Sequence, residues 1–242
     1  MSETAPILFY REQDHFGILS NYYRLSEQPI YFGKKPYATA EHLFQALKFI
    51  YPGASADSLR FAELIRNANT PNKARILARL KCGGGYRWRT DLNEPIRRFT
   101  ELGVRLRPDW DDVRLDVMLF VLREKFRQSP RARQALLDTG KAPLVEHSPR
   151  DSFWGDCGRG ETVGPGQNHL GRLLASVREE LRQQTTTATT SSAADAVAAA
   201  AAISDSKEDG KHSGNDGSGI THKSRQLKRK RQQSSTVITI KL

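Results

Sequence analysis

The segment YATAEHLFQALKF, residues 37–49, places an acid and a base among aromatic and aliphatic side chains. Its apolar residues follow helical spacing, and Glu41 falls in the first helical turn. A carboxylate on a rigid helix start can orient or deprotonate water, or it can protonate a leaving group. The simpler interpretation of Glu41 is an acid stabilised by the helix dipole. Lys48, two turns further on the same face, can contact a ligand phosphate or remain solvated.

Three loops combine polar groups, glycine and aromatic side chains in a way that a core does not require. They are GILSNYY, RPDWDDVR and SPRDSFWGDCGRG, at residues 17–23, 107–114 and 148–160. Together with the residues before the last predicted helix, they supply Asn21, Trp110, Asp151, Trp154 and Asn168. Long loops rich in Trp and Asp are usually functional, and the amides that follow Asn168 can receive a phosphate at a helix start.

Most of these residues also have a simpler structural interpretation. Asn21 can hydrogen-bond a sugar hydroxyl, or it can serve a turn, which Asn favours. Asp151 can hold a sugar diol or act as the partner carboxylate of Glu41. Trp110 and Trp154 can stack on a base, or they can pack beneath their own loops.

The predicted elements place these residues on an α+β fold that is mostly helical and has a small β-sheet. A strand at 7–10 and a hairpin that turns at Gly33 precede the helix of the first segment, which Thr39 caps. PLVEHS is predicted as a second buried strand. Further helices are predicted at 55–68, 70–80, 107–130, 130–140 and 170–184, and less regularly near EPIRRFTELG.

The composition divides the chain into a folded part and a tail. All of the 3 Trp, 7 Tyr and 10 Phe precede residue 185, so residues 1–184 are predicted as one globular domain. Residues 185–242 lack aromatics and are rich in Thr, Ser, Ala and Gly, which predicts a disordered, basic tail. Both parts contribute to the net charge of +11. The tail's KRKR, Lys228 to Arg231, is typical of a nuclear localisation signal or a nucleic-acid tether, or else of a solvated patch.

Cysteine usage and hydropathy exclude several classes of protein. Cys82 and Cys157 are isolated, so they form neither a disulfide framework nor a zinc site, and a reducing compartment is expected. The N-terminal residues carry charges too early for a signal peptide, and no apolar run is long enough to span a membrane. These features predict an intracellular protein, nuclear or cytoplasmic, without a membrane partner.

In their order along residues 7–182, the motifs resemble those of the NADAR family, also called YbiA-like. The matching strings are LSNYY, YFGKKPYATAEHLFQALKF, NTPNKARILAR, WDDVRLDVMLFVLREKF, LLDTGKAPLVEHSPRDSFWGDC and NHLGRLLASVREEL. The chain departs from the family pattern at KCGGGYRWRTDLNEP and in the long GRGETVGPGQ segment before Asn168.

The resemblance implies a compact α+β domain with a cleft of ADP-ribose size and an N-glycosidase activity, without a metal or cofactor. Glu41 is then the leading acid, base or water-orienting residue, and Asp151 supports it. The same resemblance implies substrate contacts from Asn21, Lys48, Trp110, Trp154, Gly155 and Asn168.

Two substrate groups are linked to the family: phosphoribosylamino-pyrimidine intermediates of riboflavin synthesis, and ADP-ribose attached to guanine. The basic tail favours the second group, as a modified guanine in nucleic acid. A module that binds ADP-ribose or NAD derivatives without turnover is an alternative, as is a nucleic-acid adaptor that acts through the tail. The oligomeric state stays open.

Overall fold

The computed structural model describes residues 4–79 and 103–204, and for residues 187–204 it describes the backbone alone. Within these ranges it contains six α-helices and four short strands, which confirms a mostly helical α+β fold. The strands are β1 (Ile7–Phe9), β2 (Ile30–Phe32), β3 (Lys35–Tyr37) and β4 (Leu144–Glu146). The helices are α1 (Ala40–Ala46), α2 (Ala56–Arg66), α3 (Pro71–Leu77), α4 (Trp110–Gln128), α5 (Pro130–Asp138) and α6 (His169–Ser204).

The strands form two small sheets. β1 and β4 pair in parallel, with Phe9 opposite Glu146, although most of the described chain separates them in sequence. β2 and β3 form the predicted antiparallel hairpin, which turns at Gly33 with a φ of 60°. A left-handed φ of this kind favours glycine. The segment Gly17–Leu19, predicted as part of a loop, is a buried 3₁₀ turn.

Helix α1 is buried on every side. All of its residues are buried, and it contacts α2, α3, α4 and the hairpin. Leu43 and Leu47 are fully buried in the core, next to the edge-to-face pair of Phe49 and Phe61, whose ring centroids are 4.8 Å apart. A helix this short is not stable alone in water, so tertiary packing holds it in place.

Two polar residues close the N-terminus of α1. The Thr39 Oγ1 accepts a hydrogen bond from the backbone N–H of His42, as an N-cap does. The same oxygen lies 2.8 Å from His42 Nδ1, while His42 Nε2 lies 3.0 Å from the carbonyl of Ala68. Because a carbonyl only accepts, Nε2 donates and the Thr39 hydroxyl donates to Nδ1. Burial lowers the pKa of His42, in accord with this neutral ring.

A buried lysine connects α4 to the 3₁₀ turn. Lys125 is fully buried, and its Nζ donates to the carbonyls of Leu19 and Ser20 at 3.3 and 2.8 Å. Burial lowers the pKa of Lys125 to about 7. These bonds fix the backbone directly before Asn21, which is one of the residues of the site described below.

The described residues up to Arg182 belong to one compact unit. Helix α6 continues to Ser204, so the predicted domain boundary at residue 184 falls within a helix. The rest of the predicted tail, residues 205–242, lies outside the described residues, as do KRKR, the glycine-rich insertion and most of EPIRRFTELG. In the described part of the chain, no helix is long and apolar enough to cross a membrane.

Candidate active site

A cleft of about 810 Å³ lies where β1 and β4 end and α1 begins. This volume is within the range of pockets that hold small ligands and cofactors. Tyr10 follows β1, Glu146 ends β4, and both line the cleft together with α1. Six of the eight predicted site residues also line it, namely Asn21, Glu41, Lys48, Trp110, Asp151 and Trp154. The fold therefore brings together the helix and the three loops that the sequence singled out.

Aromatic rings form one wall of the cleft. The ring of Phe44 lies between those of Trp110 and Trp154, with centroid distances of 5.1 and 5.4 Å. Lys48 Nζ lies 5.2 Å from the Trp110 ring and 5.9 Å from the Phe44 ring, so the ammonium group is held over this wall. Burial lowers the pKa of Lys48 to about 8, although the nearby charge of Glu41 opposes the shift. Lys48 is thus part of the site and is not a solvated surface residue.

Glu41 is buried in the cleft wall, with 6% of its surface exposed. Its Oε1 accepts a hydrogen bond of 2.8 Å from Gln45 Nε2, and its backbone N–H donates to the carbonyl of Asn21. Burial raises the pKa of Glu41, while the Gln45 amide and the charges of Lys48 and Arg75 act in the opposite direction. The Glu41 side chain is therefore fixed in position, and its carboxyl group lies where it is largely shielded from solvent.

A second shielded carboxylate, which the sequence analysis missed, belongs to Glu146. Its Oε2 is inaccessible to solvent and has no hydrogen-bond partner in the described part of the chain. Burial raises the pKa of Glu146 to about 8, and the charges of Asp151, Glu41 and Asp156 add to the shift. Two carboxylates in unlike environments therefore share one cleft, which is the arrangement that general acid–base chemistry requires.

Asp151 stabilises the turn of its own loop. Its Oδ1 accepts from the backbone N–H groups of Phe153 and Trp154, at 3.0 and 2.8 Å. This turn places Trp154 against Phe44. Asp151 lines the cleft, so its predicted contact with a ligand hydroxyl stays compatible with this role.

Asn168 and Gly155 do not line the cleft. The Asn168 side chain continues the pairing of β4, because Oδ1 accepts from the Glu146 N–H and Nδ2 donates to the Leu144 carbonyl. Gly155 accepts from the Asn168 N–H, and a side chain on Gly155 would meet the Glu146 carbonyl at 2.7 Å. Both residues support the strand end and its loop, and the geometry brings neither one to a ligand in the cleft. A side chain on Gly171, near the predicted phosphate position, would collide with the carbonyl of Leu144.

Asp156 organises the loop that follows β4. Its carboxylate is 1% exposed and accepts from the amides of Gly158 and Gly164 and from His147 Nδ1. Burial alone would raise the pKa of Asp156, but these three donors lower it. A side chain on Gly164 would collide with the Asp156 carbonyl, so the glycines of this segment allow the backbone to wrap closely around the carboxylate.

Arginines from several elements also line the cleft, and the sequence analysis did not identify them. They are Arg11 in the loop after β1, Arg75 in α3, Arg79 just after α3, Arg114 in α4 and Arg150 in the loop after β4. Arg75 Nη2 donates to Asn72, while its Nε is shielded and has no partner in the described part of the chain. Polar atoms of Asn21 and Gln45 in the same cleft are also buried without a partner there. Such atoms call for a ligand or ordered water.

Replacing Arg75 by Gln should raise the KM for an anionic substrate about tenfold, with a smaller effect on kcat. A charge-assisted hydrogen bond contributes about 1.5–3 kcal/mol, and a neutral amide keeps only part of it. Steady-state kinetics of the purified full-length variants measure the effect. Arg131→Gln, which removes an exposed arginine outside the cleft, is the matched control. Equal KM values for the two variants would contradict a role of Arg75 in binding.

Within the described residues, no group of three or more His, Cys, Asp or Glu side chains could hold a metal ion. The carboxylates, the arginines and the aromatic wall can instead bind an anionic ligand and exchange protons with it. The fold and the site together define an α+β domain whose cleft combines acid–base groups with cations.

Comparison with known proteins identifies the family. The NADAR domain profile matches residues 8–182. The chain is 34% identical over 175 residues to the N-glycosidase YbiA of Escherichia coli, covering 72% of this chain and 88% of that protein. It is 36% identical over 176 residues to an N-glycosidase of Nostoc punctiforme, covering 73% of this chain and 92% of that protein. The chain belongs to the NADAR family.

Two further similarities bear on the fold and on the relatives' roles. The NMR structure of Escherichia coli YbiA superposes with a TM-score of 0.57 at 32% identity, covering 77% of this chain and 90% of that one. A riboflavin biosynthesis protein of Vibrio vulnificus is 35% identical over 178 residues. This similarity covers 74% of the present chain but 39% of the Vibrio protein, so the chain spans less than half of that relative.

Proposed function

We propose that this protein hydrolyses the N–C1′ bond that joins ADP-ribose to guanine in nucleic acid. The broader activity follows from its family and from relatives named N-glycosidases at 34% and 36% identity: the protein is a hydrolase of N-glycosyl bonds. The finer assignment, the modified guanine, is the proposal. It rests on one observation, the presence of two shielded carboxylates and several arginines in a single cleft.

The cations favour a substrate with more than one phosphate. The five arginines come from four separate parts of the chain, and Lys48 adds a sixth cationic group. A diphosphate presents acceptors in several directions, which suits donors that approach from different elements. The volume of about 810 Å³ also leaves room for a dinucleotide-sized ligand.

In this proposal, Glu41 orients and deprotonates the water that attacks C1′, since its position is fixed by Gln45 and by the backbone of Asn21. Asn21 and Asp151 contact ribose hydroxyls, and Lys48 contacts phosphate or ring oxygen. Trp110 and Trp154 form the apolar wall beside the ligand.

The basic tail supports nucleic acid as the carrier of the modified base. KRKR, residues 228–231, would attract a phosphate backbone, or it would direct the protein to the nucleus. If the tail acts as a tether, replacing these four residues by Ala in the full chain weakens binding to the oligonucleotide and reduces its salt dependence. Turnover of the free ADP-ribosylated nucleoside stays unchanged.

A second substrate class has an observation of its own in its favour. The Vibrio vulnificus relative is named a riboflavin biosynthesis protein, and a phosphoribosylamino-pyrimidine would offer this cleft the same kind of N–C1′ bond. Such a substrate carries a single phosphate group, so it would engage fewer of the arginines.

The test incubates the full-length protein with an ADP-ribosylated guanine oligonucleotide and, separately, with the phosphoribosylamino-pyrimidine. Release of ADP-ribose and of ribose 5-phosphate is followed by chromatography. We expect kcat/KM to be at least about tenfold higher for the ADP-ribosylated guanine. A preference for the pyrimidine would establish the second class. Tight binding of ADP-ribose without release of free sugar from either substrate would indicate a binding module.

A further inference from the structure

We propose that Glu146 is the proton donor of the reaction, which delivers its proton to the leaving nitrogen while Glu41 remains the ionised partner. This inference rests on the proposed N-glycosidase function and adds a catalytic residue to it. The sequence analysis predicted Asp151 as the partner carboxylate of Glu41, and this proposal gives that role to Glu146.

The backbone of Glu146 is held on three sides. Its N–H donates to Asn168 Oδ1 at 3.0 Å, and its carbonyl accepts from Ser148 and Asp156 at 2.9 and 3.0 Å. Pairing with Phe9 across the parallel strands adds a further constraint. Glu146 is therefore the rigidly placed last residue of a strand that ends at the cleft, which is where a catalytic group needs to be held.

The side chain of Glu146 has the features of an acid that remains protonated. Its Oε2 is shielded from water and has no partner in the described part of the chain. The charged groups that shift its titration, after burial itself, are the acids Asp151, Glu41 and Asp156, and no cation is among them. An unpaired carboxyl surrounded by acids favours the neutral form, and its proton is free to be donated.

Glu41 shares the burial of Glu146 but differs in its neighbours. Burial raises the pKa of Glu41, whereas the Gln45 amide, which donates to its carboxylate, and the charges of Lys48, Arg75 and Arg79 favour the charged form. When two neighbouring carboxyl groups compete for protons, the one beside cations ionises first. In this proposal, Glu41 on α1 is therefore the base, and Glu146 at the end of β4 is the acid.

Asp151 is less suited to donate the proton. Its Oδ1 already accepts from the amides of Phe153 and Trp154, so this oxygen is engaged in holding the loop. Its second oxygen can accept from a sugar hydroxyl. Asp151 therefore positions the substrate and the loop, while the proton comes from Glu146.

The atoms balance in this scheme. As the bond between C1′ and nitrogen breaks, the Glu146 proton moves to the nitrogen and the base leaves neutral. The water oxygen forms the new bond to C1′, and one water proton moves to Glu41. Exchange with solvent then removes the proton from Glu41 and returns one to Glu146. One water is consumed per bond, with no oxidant or further reactant.

The experiment compares Glu146→Gln with the wild-type full-length protein on the substrate that the wild type turns over. The variant should lose about 10²-fold in kcat, within the usual range for general acid catalysis. The kcat/KM of the wild type should fall on the alkaline side near pH 8, because the acid must be protonated, and the variant should lack this decline. Glu161→Gln, which changes an exposed acid outside the cleft, should retain both rate and profile.

Thermal unfolding separates a catalytic role from a structural one. The pKa of Glu146 in the folded protein lies above its ordinary value of 4.5, so ionising it costs stability as the pH rises between about 5 and 8. Glu146→Gln removes this cost, and its Tm should exceed that of the wild type increasingly over this interval. Glu146→Asp keeps a carboxyl group but places it one methylene further from the cleft. Compared with Glu146→Gln, this variant should recover part of the rate and should again show the alkaline decline.

Several outcomes would overturn the assignment. A Glu146→Gln variant with full turnover would remove Glu146 from the reaction. If Glu146→Gln is slow but keeps the alkaline decline, the proton donor is another residue. The same conclusion follows if Asp151→Asn loses the decline while Glu146→Gln keeps it. Absence of turnover by the wild type on both substrates would instead refute the proposed function, and the role of Glu146 with it.

Discussion

Glu41→Gln should lower kcat/KM by about 10³-fold while the protein remains folded. The amide preserves the size of the side chain and can still accept a hydrogen bond from Gln45, but it can no longer take a proton from water. The loss lies in the middle of the range for general acid–base catalysis, as expected for a residue that acts on the attacking nucleophile in a site shielded from solvent. Product release under single-turnover conditions measures it.

The pH profile of the Glu41→Gln variant provides a second check. Burial raises the pKa of Glu41 above its ordinary 4.5, so the wild-type rate should decline on the acid side at a pH above that value. The variant should lack this acid-side decline. Glu124→Gln on α4, outside the cleft, is the matched control and should stay within about twofold of the wild type. Full turnover by Glu41→Gln would leave the enzyme class intact and refute the role assigned to Glu41.

Asp156→Asn should destabilise the protein by about 3 kcal/mol, or roughly 6–12 °C in Tm. In the wild type, Oδ1 accepts from Gly158, while Oδ2 accepts from Gly164 and His147. An Asn side chain has one oxygen, so its NH₂ group must face donors on one of the two sides. Differential scanning calorimetry measures the change, and Asp112→Asn, at an exposed position, should stay within about 0.5 kcal/mol.

The stability difference caused by Asp156→Asn should depend on pH. The pKa of Asp156 in the folded protein lies below its ordinary 3.8, so its contribution is present above pH 4 and is lost as the pH falls through the folded value. The difference between wild type and variant should therefore shrink between pH 5 and pH 2. Activity should fall as well if the loop is displaced, because the backbone N–H of residue 156 in this loop donates to the carbonyl of Glu146. A constant difference across this interval would contradict the assignment.

Local patterns were sufficient to predict most elements of the fold. Thr39, Ser55 and Thr70 accept from the third residue of their helices, and Pro71 begins α3 as a proline at the first position should. The dipeptide Gly33-Lys34 between the two strands predicted the turn of the hairpin. These features depend on interactions within a few residues, which a single sequence displays directly.

Long-range pairing explains what local patterns missed. Glu146 sits in the strand PLVEHS, where an acid at the strand end has the pattern of a solvated residue. Only the pairing of β4 with β1 places this end beside α1. An acid at the carboxyl end of a buried strand was the available signal, since ligands often bind at such edges.

Two kinds of error had the same origin. Arg75 lies in the short helix α3 and Arg79 just after it, at positions where cations are usually solvated, and the packing of α3 on α1 brings them to the cleft. Asn168 has a left-handed φ of 48° and binds the strand with both ends of its amide, a use of Asn that sequence alone does not distinguish from ligand binding. In both cases, the partner lies far away in the sequence.

The complete burial of α1 constrains how proteins of this design can diversify. A helix whose every residue packs inside the molecule offers no position at which a substitution changes the substrate without disturbing the interior. The exposed rim residues Tyr10, Arg79 and Arg150 have that freedom, because they line the cleft and are also exposed to solvent. Substitutions at these rim residues can therefore change the substrate specificity, while the buried residues that perform the acid–base chemistry stay the same.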